Sequence, residues 1–195
     1  MKNCYFELNQ LSYAYADGTK ALTDITLHIP KGKKIAILGH NGAGKSTLFQ
    51  HLNGILKPTA GTILFEGNKL QYNRKALKAL RQQVGIVFQD ADHQLFSGTV
   101  KQDIAFGPLN LGWSNAKVEE KIAWAVAQTE VGNLLDKPIH FLSVGQKKRV
   151  AMAGVLAMEP SVLLLDEPTA GLDNYYSSKV LQTLAKLADG KRTIL

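Results

Sequence analysis

The chain has 195 residues, 45% of them hydrophobic and 20% charged, which favours one domain with at most a small inserted subdomain. It contains no apolar run near the ~18 residues that span a bilayer, no signal-peptide pattern and only one cysteine, Cys4, so we expect a cytosolic protein without an internal disulfide. The net charge of +7 comes from scattered lysines and arginines, which argues against a nucleic-acid-binding tract and fits phosphate-rich ligands or an anionic membrane surface equally well.

Two stretches near the N-terminus alternate between apolar and polar residues, which is the pattern of β-strands. They are Tyr5–Leu11 and Ala21–Ile29, with a turn at Asp17-Gly18 between them, and we expect a small antiparallel sheet. Tyr15 stands at the turn, where its ring can stack on an adenine base. Tyr13 competes for that role, and a tyrosine that only packs on the sheet is an open alternative.

A glycine-rich stretch comes next, and its spacing is that of a phosphate-binding P-loop. It reads Gly39, His40, Asn41, Gly42, Ala43, Gly44, Lys45, Ser46, with Thr47 after it. The glycines allow backbone N–H groups to point at phosphate oxygens, Lys45 reaches the β- and γ-phosphates, and the Ser46 hydroxyl can bind Mg²⁺. We predict a short buried strand over Lys34–Leu38 and a helix starting near Thr47, whose dipole favours the same anion. This context favours nucleotide binding over a turn that binds nothing.

The residues after the loop alternate between strand and helix patterns. We predict a short strand over Thr62–Phe65, a helix over Asn73–Gln82 and a buried strand over Val84–Phe88. Gln89 follows that last strand at its carboxyl end, where parallel sheets bind their ligands. Taken alone, a glutamine there is more often an ordinary polar loop residue.

The segment 99–158 is mostly helical in pattern, and we expect it to form an inserted helical subdomain. One helix is predicted over Thr99–Phe106, and a longer one is capped by Ser114 and runs to Val131. Gly107-Pro108 and Leu111-Gly112 are expected to separate the two helices.

A second candidate anion site precedes the apolar helical run Val150–Met158. The sequence Leu142-Ser143-Val144-Gly145-Gln146 places a serine and a glycine at a helix N-terminus, where N–H groups and the hydroxyl can hold a γ-phosphate. By itself this pattern also describes an ordinary capped helix.

Two carboxylates end the next predicted strand, Ser161–Leu165. Asp166 can hold magnesium through water, and Glu167 can orient or deprotonate an attacking water. Because burying two like charges without a cation is costly, such a pair downstream of a P-loop is rarely structural.

In this order the motifs resemble those of an ABC-transporter ATP-binding subunit. Gly39–Ser46 matches the Walker A motif, Gln89 the Q-loop glutamine and Leu142–Gln146 the signature motif. Leu163–Glu167 matches Walker B, and Ala170–Asp173 matches the D-loop that follows. The resemblance runs from one end of the chain to the other.

The resemblance implies an α/β fold over residues 1–195 as a single ABC ATP-binding domain. It consists of a P-loop NTPase core that is RecA-like with a mainly parallel sheet, an N-terminal antiparallel β subdomain and the helical subdomain of about 99–158, which contains the signature motif. Two such subunits are expected to sandwich two ATP molecules, each held by the P-loop of one and the signature motif of the other. Closure of the two subunits is expected to drive the membrane partner, and ATP hydrolysis is expected to reset it.

The resemblance also implies the site residues, with ATP and Mg²⁺ as cofactors. Glu167 and Gln89 are expected to be catalytic, while Ser46, Gln89 and Asp166 hold magnesium. The residues expected to bind ATP are Tyr15, Gly39, His40, Asn41, Gly42, Ala43, Gly44, Lys45, Ser46, Thr47, Ser143, Gly145, Gln146 and Asp173.

Within the family, the chain is most similar to ATPases of the energy-coupling-factor group, in particular those of cobalt and nickel importers. Two stretches carry this similarity: Phe88–Phe96 together with Ala105–Gly112, and Gly145–Gly154. The region from Gln89 to Phe96 is expected to dock integral membrane subunits, helped by the apolar Leu95 and Phe96. We expect a second ATP-binding subunit, in a homo- or heterodimer, a peripheral position on the cytoplasmic face of the membrane, and no nucleic acid.

Other functions are open at this point. ATPases of vitamin-uptake modules are related to those of metal importers. A soluble ABC ATPase shares the motifs, but repair types carry a long coiled-coil insertion and translation types carry two cassettes, and this chain has neither. A small-molecule kinase with a P-loop would lack the signature motif and the D-loop.

The sequence departs from the family pattern at a few positions. Val144 stands where the family usually has a glycine, Ala91 replaces a usual proline and Asn174 replaces another. The sequence Gly190–Leu195 opens a core strand and ends before the position of the family's switch histidine. We therefore expect this 195-residue form to bind ATP and to turn it over very slowly.

Overall fold

The computed structural model describes residues 3–188 and 190–195, which fall into two compact units. The first unit contains the described residues through Val84, together with Ser161–Leu164 and the last residues from Ala188 onward. The second unit contains Gly85–Pro160 and Leu165–Leu187. The P-loop therefore belongs to the first unit, while Gln89 and Glu167 belong to the second.

The first unit is built on a four-stranded antiparallel sheet with the strand order β2-β1-β3-β4. Its strands are β1 (Cys4–Ala14), β2 (Lys20–Pro30), β3 (Ala60–Phe65) and β4 (Asn68–Lys69). Leu8 of β1 stands opposite Leu27 of β2 and Ile63 of β3. Because strand side chains alternate between faces, Phe6, Leu8 and Ile63 all reach the buried face. The predicted antiparallel pair is confirmed, and each strand is longer than predicted.

The first unit also contains two helices. Helix α1 spans Lys45–Leu52, and α2 spans Arg74–Gln83 with Asn73 as its N-cap. The turn after α1 approaches α2 closely, because a Cβ on Gly54 would lie 2.6 Å from Leu77 Cδ2. Arg81 of α2 donates to the Gly54 carbonyl oxygen at 3.0 Å. The helix predicted over Asn73–Gln82 is confirmed within one residue at each end.

Parallel pairing occurs later in the chain. Strand β5 spans Val84–Val87, β6 spans Val162–Leu165 and β7 spans Thr193–Ile194. In the first unit β6 pairs in parallel with β7, with Val162 opposite Thr193. The continuous apolar run of β6 is typical of a parallel strand that is buried on both faces. The combination of an antiparallel sheet, parallel strands and helices confirms the predicted α/β class.

The buried strand predicted over Lys34–Leu38 does not form. Lys34 makes only an isolated parallel bridge to Ile194, and the Ile35 N–H donates to the Ile194 carbonyl oxygen at 2.8 Å. Leu38 is 91% exposed. A strand needs a partner of matching length for its ladder, and the described part of β7 offers only two residues.

The second unit is mainly helical. Its helices are α3 (Val100–Asn110), α4 (Asn115–Thr129), α5 (Val144–Leu156) and α6 (Asn174–Leu187). Helices α3, α4 and α5 pack on one another through fully buried side chains such as Ile104, Ala125 and Val150. The unit is wider than residues 99–158, so the assignment of that segment as a separate subdomain stays a prediction.

Helix α3 runs through residues that were predicted to end it. Gly107 and Pro108 both lie inside the helix. A Cβ on Gly107 would lie 2.6 Å from Met158 Sδ, so the glycine serves close packing and not a turn. The helix ends at Leu111 and Gly112, where Gly112 adopts a φ of +77°. Ser114 caps α4 as predicted.

None of the helices among the described residues combines the length and the apolar character that a membrane crossing requires.

Candidate functional site

The P-loop of the first unit has the backbone geometry of an anion cradle. Gly42 and Gly44 adopt φ values of +81° and +89°, which residues with a Cβ rarely adopt. A Cβ on Gly44 would also lie 2.4 Å from the Ala21 carbonyl oxygen. Glycine is therefore required at position 44 for both its conformation and its space.

Helix α1 begins directly after this loop without a side-chain cap. Gly44 is its N-cap and provides no side-chain hydrogen bond to the first turn. The N–H groups of a first turn lack partners within the helix, and together with the helix dipole they favour an anion. The loop residues Gly39 to Ala43 and Ser46 are exposed, so a phosphate can reach them. This arrangement fits the phosphates of a nucleotide.

Lys45 lies with its side chain against the same loop. Its ammonium donates to the carbonyl oxygens of Gly39 at 2.9 Å and His40 at 3.0 Å. These two carbonyls hold the ammonium beside the loop backbone, where it adds a full positive charge to the helix terminus. That Lys45 reaches the β- and γ-phosphates stays a prediction.

The two candidate tyrosines differ in their surroundings. The Tyr15 hydroxyl lies 2.9 Å from the hydroxyl of Thr47 in α1, and 40% of Tyr15 is exposed. The ring of Tyr13 packs edge-on against both Tyr15 and His51, at centroid distances of 5.1 Å and 4.7 Å. Tyr15 therefore offers the more accessible ring next to the P-loop helix, and its stacking on adenine stays a prediction.

In the second unit, the structure brings Gln89 and Glu167 together. The Gln89 side-chain amide donates to Glu167 Oε2 at 2.9 Å, although the two residues are 78 positions apart. Glu167 adopts a φ of +46°, a strained conformation for a residue with a Cβ. Such strain is concentrated at functional sites.

Asp166 is buried beside this pair. It is only 6% exposed, and its N–H donates to the Val87 carbonyl oxygen at 3.0 Å. Within residues 3–188 and 190–195, no lysine, arginine or histidine forms an ion pair with it. A buried carboxylate without a cationic partner fits a site for a hard divalent cation.

The predicted magnesium ligands have suitable chemistry. Ser46 offers a hydroxyl, Gln89 an amide oxygen and Asp166 a carboxylate, and hard oxygen donors are what Mg²⁺ prefers. Ser46 belongs to the first unit and the other two to the second. In the described part of the chain, no cluster of three or more His, Cys, Asp or Glu side chains is arranged to hold a metal ion.

The signature residues form a capping box at the start of α5. The Ser143 hydroxyl accepts from the Gln146 N–H at 3.3 Å, and Gln146 Oε1 accepts from the Ser143 N–H at 3.0 Å. A Cβ on Gly145 would lie 2.9 Å from Tyr176 Cγ, so this glycine allows close packing. Val144 is 59% exposed at the start of α5.

The D-loop aspartate also has a capping role. Asp173 Oδ1 accepts from the Tyr176 N–H at 2.8 Å, which caps the first turn of α6. The capping interpretation that was open for the Leu142–Gln146 sequence therefore describes Ser143 and Gln146 in this chain. Their contact with ATP across a dimer stays a prediction.

Sequence reasoning missed Lys148, although it lies in the stretch Gly145–Gly154 that carries the similarity to the energy-coupling-factor group. Lys148 is only 4% exposed and donates to the Glu167 carbonyl oxygen at 3.1 Å and the Ala170 carbonyl oxygen at 2.6 Å. A signal was present in the sequence: Lys148 shares a helical stripe with Ala151 and Met152, both of which are buried. Periodicity along α5 would have placed its side chain inside.

An apolar surface lies on α3 and the segment before it. A cavity of about 610 Å³ is lined in part by Phe106 and Leu109, which are 49% and 53% exposed. Phe96 is 66% exposed, and its ring meets that of Phe106 edge-on at 4.7 Å. Leu95 was expected to help docking, but it is only 8% exposed because it packs inward. We call Phe96, Phe106 and Leu109 the α3 surface.

A glycine loop of this geometry at a helix N-terminus, in a chain with two carboxylates at the end of a buried strand, marks the class of P-loop nucleotide-binding proteins. Within that class, the model of the ABC transporter family matches residues 22–170, and the chain belongs to this family.

Curated relatives narrow the similarity to one group within this family. The chain is 50% identical over 187 residues to the energy-coupling factor transporter ATP-binding protein EcfA3 of Clostridium perfringens, covering 96% of this chain and 66% of the relative. It is 48% identical over 189 residues to EcfA of Methanothermobacter thermautotrophicus, covering 97% of this chain and 61% of the relative. The chain thus spans two thirds or less of the length of these two proteins. The predicted similarity to the energy-coupling-factor group is confirmed.

Solved structures agree with this placement. The structure of cbiO1 from Clostridium perfringens, described as part of the ABC transporter complex cbiONQ, superposes with a TM-score of 0.86 at 48% identity and covers 98% of this chain and 77% of that one. A bacterial Atm1-family ABC exporter with ATP bound superposes with a TM-score of 0.82 at 28% identity, covering 100% of this chain and 34% of the exporter. The predicted ABC fold is therefore confirmed.

Proposed function

We propose that this chain binds Mg-ATP and hydrolyses it to energise a membrane importer of the energy-coupling-factor group, most specifically an importer of cobalt or nickel ions. The observation that carries the proposal is the P-loop. Its left-handed glycines, the uncapped first turn of α1 and the Lys45 ammonium together form a site for a polyphosphate.

The P-loop residues bind and orient the nucleotide in this proposal. Backbone N–H groups between Gly39 and Thr47 receive the phosphate oxygens, and Lys45 exchanges its loop carbonyls for the β- and γ-phosphates. Ser46, Gln89 and Asp166 would hold magnesium, which would neutralise part of the negative charge of the phosphates. The exposed Tyr15 ring stacks on the base.

Glu167 is the proposed general base, and Gln89 orients it. The Gln89 amide occupies Oε2 of Glu167, which leaves Oε1 to accept a proton or a hydrogen bond from the attacking water. The strained backbone of Glu167 supports this role, because pre-organised groups do not have to reorganise during the reaction.

A second ATP-binding subunit completes the site in our proposal. The signature motif acts across the dimer, through Ser143, Gly145 and Gln146 together with Asp173. Apolar side chains near the start of α5 are unusually exposed, with Phe141 at 73% and Val144 at 59%. Exposed apolar groups at a helix N-terminus that also bears N–H donors suit a subunit interface with a phosphate at its centre. Either a homodimer or a heterodimer satisfies this chemistry.

The membrane subunits dock on the α3 surface and on the neighbouring segment from Gln89 to Phe96 in this proposal. Two of its side chains, Phe106 and Leu109, line a concave space of about 610 Å³, and together with Phe96 they offer an apolar contact for a helix. This assigns the chain to a peripheral position on the cytoplasmic face of the membrane. No nucleic acid takes part.

The assignment of cobalt or nickel as the transported ion rests on similarity to other ATPases and not on a metal site in this chain. The resemblance of the Phe88–Phe96 sequence to ATPases of cobalt and nickel importers supports such an importer. A vitamin-uptake module is the alternative, because relatives named energy-coupling factor ATPases carry no cargo in their names.

Transport with the cognate membrane subunits tests the proposal. Cells that express the chain with these subunits should accumulate radioactive cobalt or nickel in an ATP-dependent manner, and cells with Lys45→Ala in the chain should not. Accumulation of a vitamin alone would overturn the metal assignment. The absence of both ATP binding and accumulation would overturn the proposed function.

A further inference from the structure

Lys148 is a buried lysine on the apolar face of α5. It is only 4% exposed and lies on the same helical stripe as Ala151, Met152 and Val155, all of which are buried. An apolar side chain would suit this position better, because taking an ammonium out of water is costly unless it gains hydrogen bonds. The position therefore requires an explanation that packing does not give.

The ammonium of Lys148 is satisfied by the two ends of one tight turn. It donates to the carbonyl oxygen of Glu167 at 3.1 Å and to that of Ala170 at 2.6 Å. The turn is closed by the Ala170 N–H, which donates to the same Glu167 carbonyl oxygen at 3.0 Å. Lys148 thus binds both ends of the turn Glu167–Ala170, which follows β6.

This segment has a conformation that needs support. Glu167 adopts a φ of +46°, which is unfavourable for a residue with a Cβ. Its side chain is directed by Gln89 at 2.9 Å, but its backbone is held only by the turn and by Lys148 among the contacts of the described residues. Burial lowers the pKa of Lys148, and the charges of Glu167 and Asp90 oppose that shift, so the carboxylates favour the charged ammonium.

We propose that Lys148 is a positioning residue for Glu167. Its ammonium fixes the backbone turn from which the Glu167 carboxylate meets Gln89 and, in the proposed hydrolysis, the attacking water. Lys148 also ties this turn to α5, the helix that begins at the signature serine Ser143. The inference rests on the proposed ATPase activity and goes beyond it to a side chain outside the predicted site residues.

The test compares Lys148→Met, which keeps the length of the side chain without its charge, with Lys179→Ala. Lys179 is a matched control because it is a lysine of the same unit that pairs with Glu130 at 2.7 Å and touches no residue of the turn. In the assembled transporter, Lys148→Met should lower kcat by at least about 10-fold while KM and the Kd for ATP change less than about 3-fold. Lys179→Ala should leave kcat within about 2-fold.

A double-mutant cycle separates positioning from general stability. If Lys148 acts through Glu167, adding Lys148→Met to Glu167→Gln should lower the remaining rate by less than about 2-fold. Fully additive losses, an unchanged kcat in the single variant, or a loss of ATP affinity equal to the loss of rate would each overturn the inference. If Lys148→Met does not fold, Lys148→Gln takes its place, because it retains a donor of shorter reach.

Hydrogen exchange of the backbone amides tests the positioning role of Lys148 without a measurement of activity. The amides of residue 167 and of residues 169–172 should exchange faster in Lys148→Met than in the wild type or in Lys179→Ala. Unchanged exchange there would overturn the positioning role. A wild-type transporter without ATPase activity would instead overturn the proposed function, and the exchange measurement would still decide on Lys148.

Discussion

Gln89 and Glu167, 78 residues apart in sequence, are joined by a hydrogen bond of 2.9 Å from the glutamine amide to Oε2 of the carboxylate. Each side chain follows a buried strand, Gln89 after β5 and Glu167 after β6. The carboxyl ends of parallel strands are where such folds bind their ligands. The bond therefore places an amide and a carboxylate side by side at the end of the sheet where such folds bind their ligands.

Glu167→Gln should abolish most hydrolysis while leaving ATP binding intact. The substitution keeps the shape of the side chain and removes the base, and general bases contribute about 10²- to 10⁴-fold in rate. Glu159→Gln is the matched control, because Glu159 also has a positive φ, of +54°, but pairs with Lys121 at the surface. Phosphate release and calorimetric ATP titration measure the two effects. An equal loss in both variants would contradict the role of Glu167.

Lys45→Ala should weaken ATP binding by at least about 10-fold, since one charged phosphate contact contributes about 1.4 kcal/mol or more. The hydrogen bonds of Lys45 go to exposed loop carbonyls, so folding should be unaffected. Lys57→Ala serves as the control, because Lys57 belongs to the same unit and lies over the Tyr72 ring. Calorimetry measures the Kd for ATP, and an unchanged Kd for Lys45→Ala would argue against the phosphate site.

Gly44→Ala should destabilise the chain more than Gly18→Ala. Both glycines have nearly the same φ, +89° and +87°, so both substitutions carry a similar conformational cost of about 1 kcal/mol. Only Gly44 lacks space, because its Cβ would lie 2.4 Å from the Ala21 carbonyl oxygen, whereas nothing lies within 4 Å at Gly18. Urea unfolding of the two variants measures the difference. Equal unfolding free energies would show that the P-loop backbone relaxes freely.

Much of the fold can be predicted from periodicity and capping chemistry. The alternation in Tyr5–Leu11 and Ala21–Ile29 predicts β1 and β2, because a half-buried sheet exposes every second side chain. Ser114 predicts the start of α4, because its hydroxyl satisfies a first-turn N–H that the helix leaves unpaired. Gln89 and Glu167 were predicted as separate functional residues, and the structure adds their mutual bond.

The remaining features depend on contacts between distant segments. Lys34–Leu38 has the composition of a strand, but strand formation needs a partner ladder that local sequence does not encode. Gly107 reads as a helix breaker, yet it lies inside α3 because Met158 packs directly on it. Leu95 was expected at the surface as an apolar docking residue, and it is buried instead. In each case, tertiary packing overrides local propensity.

Phe106→Ser should prevent assembly with the membrane subunits while leaving the ATP affinity of the isolated chain unchanged. Phe106 is 49% exposed and contacts Phe96 edge-on at 4.7 Å, so the substitution removes the centre of the α3 surface. Interface residues of this kind often contribute about 2 kcal/mol or more, equal to about 30-fold in affinity. Co-purification yields measure the effect. Leu181→Ser is the control, because Leu181 is 56% exposed on α6, and equal losses in both variants would exclude the α3 surface as the dock.

The unfolding free energy of the chain should decrease as the pH is lowered below about 6.5, and His51 is the cause. This histidine is fully buried in α1, its Nδ1 lies 2.7 Å from the Thr47 carbonyl oxygen, and its Nε2 has no hydrogen-bond partner among the described residues. Burial lowers the pKa of His51 below its ordinary value of 6.5, and the hydrogen bond to the Thr47 carbonyl oxygen opposes this shift only in part. The folded state therefore keeps His51 neutral at a pH where the unfolded chain protonates it.

The sign of the effect follows from proton linkage. Between the lowered folded pKa and 6.5, the unfolded chain binds more protons, so the unfolding free energy decreases as the pH falls through this window and is independent of His51 above it. His51→Gln should remove this component of the pH dependence between about pH 7.5 and 5.5, even if it lowers the stability at pH 7.5. His28→Gln should retain the wild-type slope, because His28 is exposed on β2. Urea unfolding at the two pH values gives the slopes, and a wild-type slope in His51→Gln would assign the acid sensitivity to other groups.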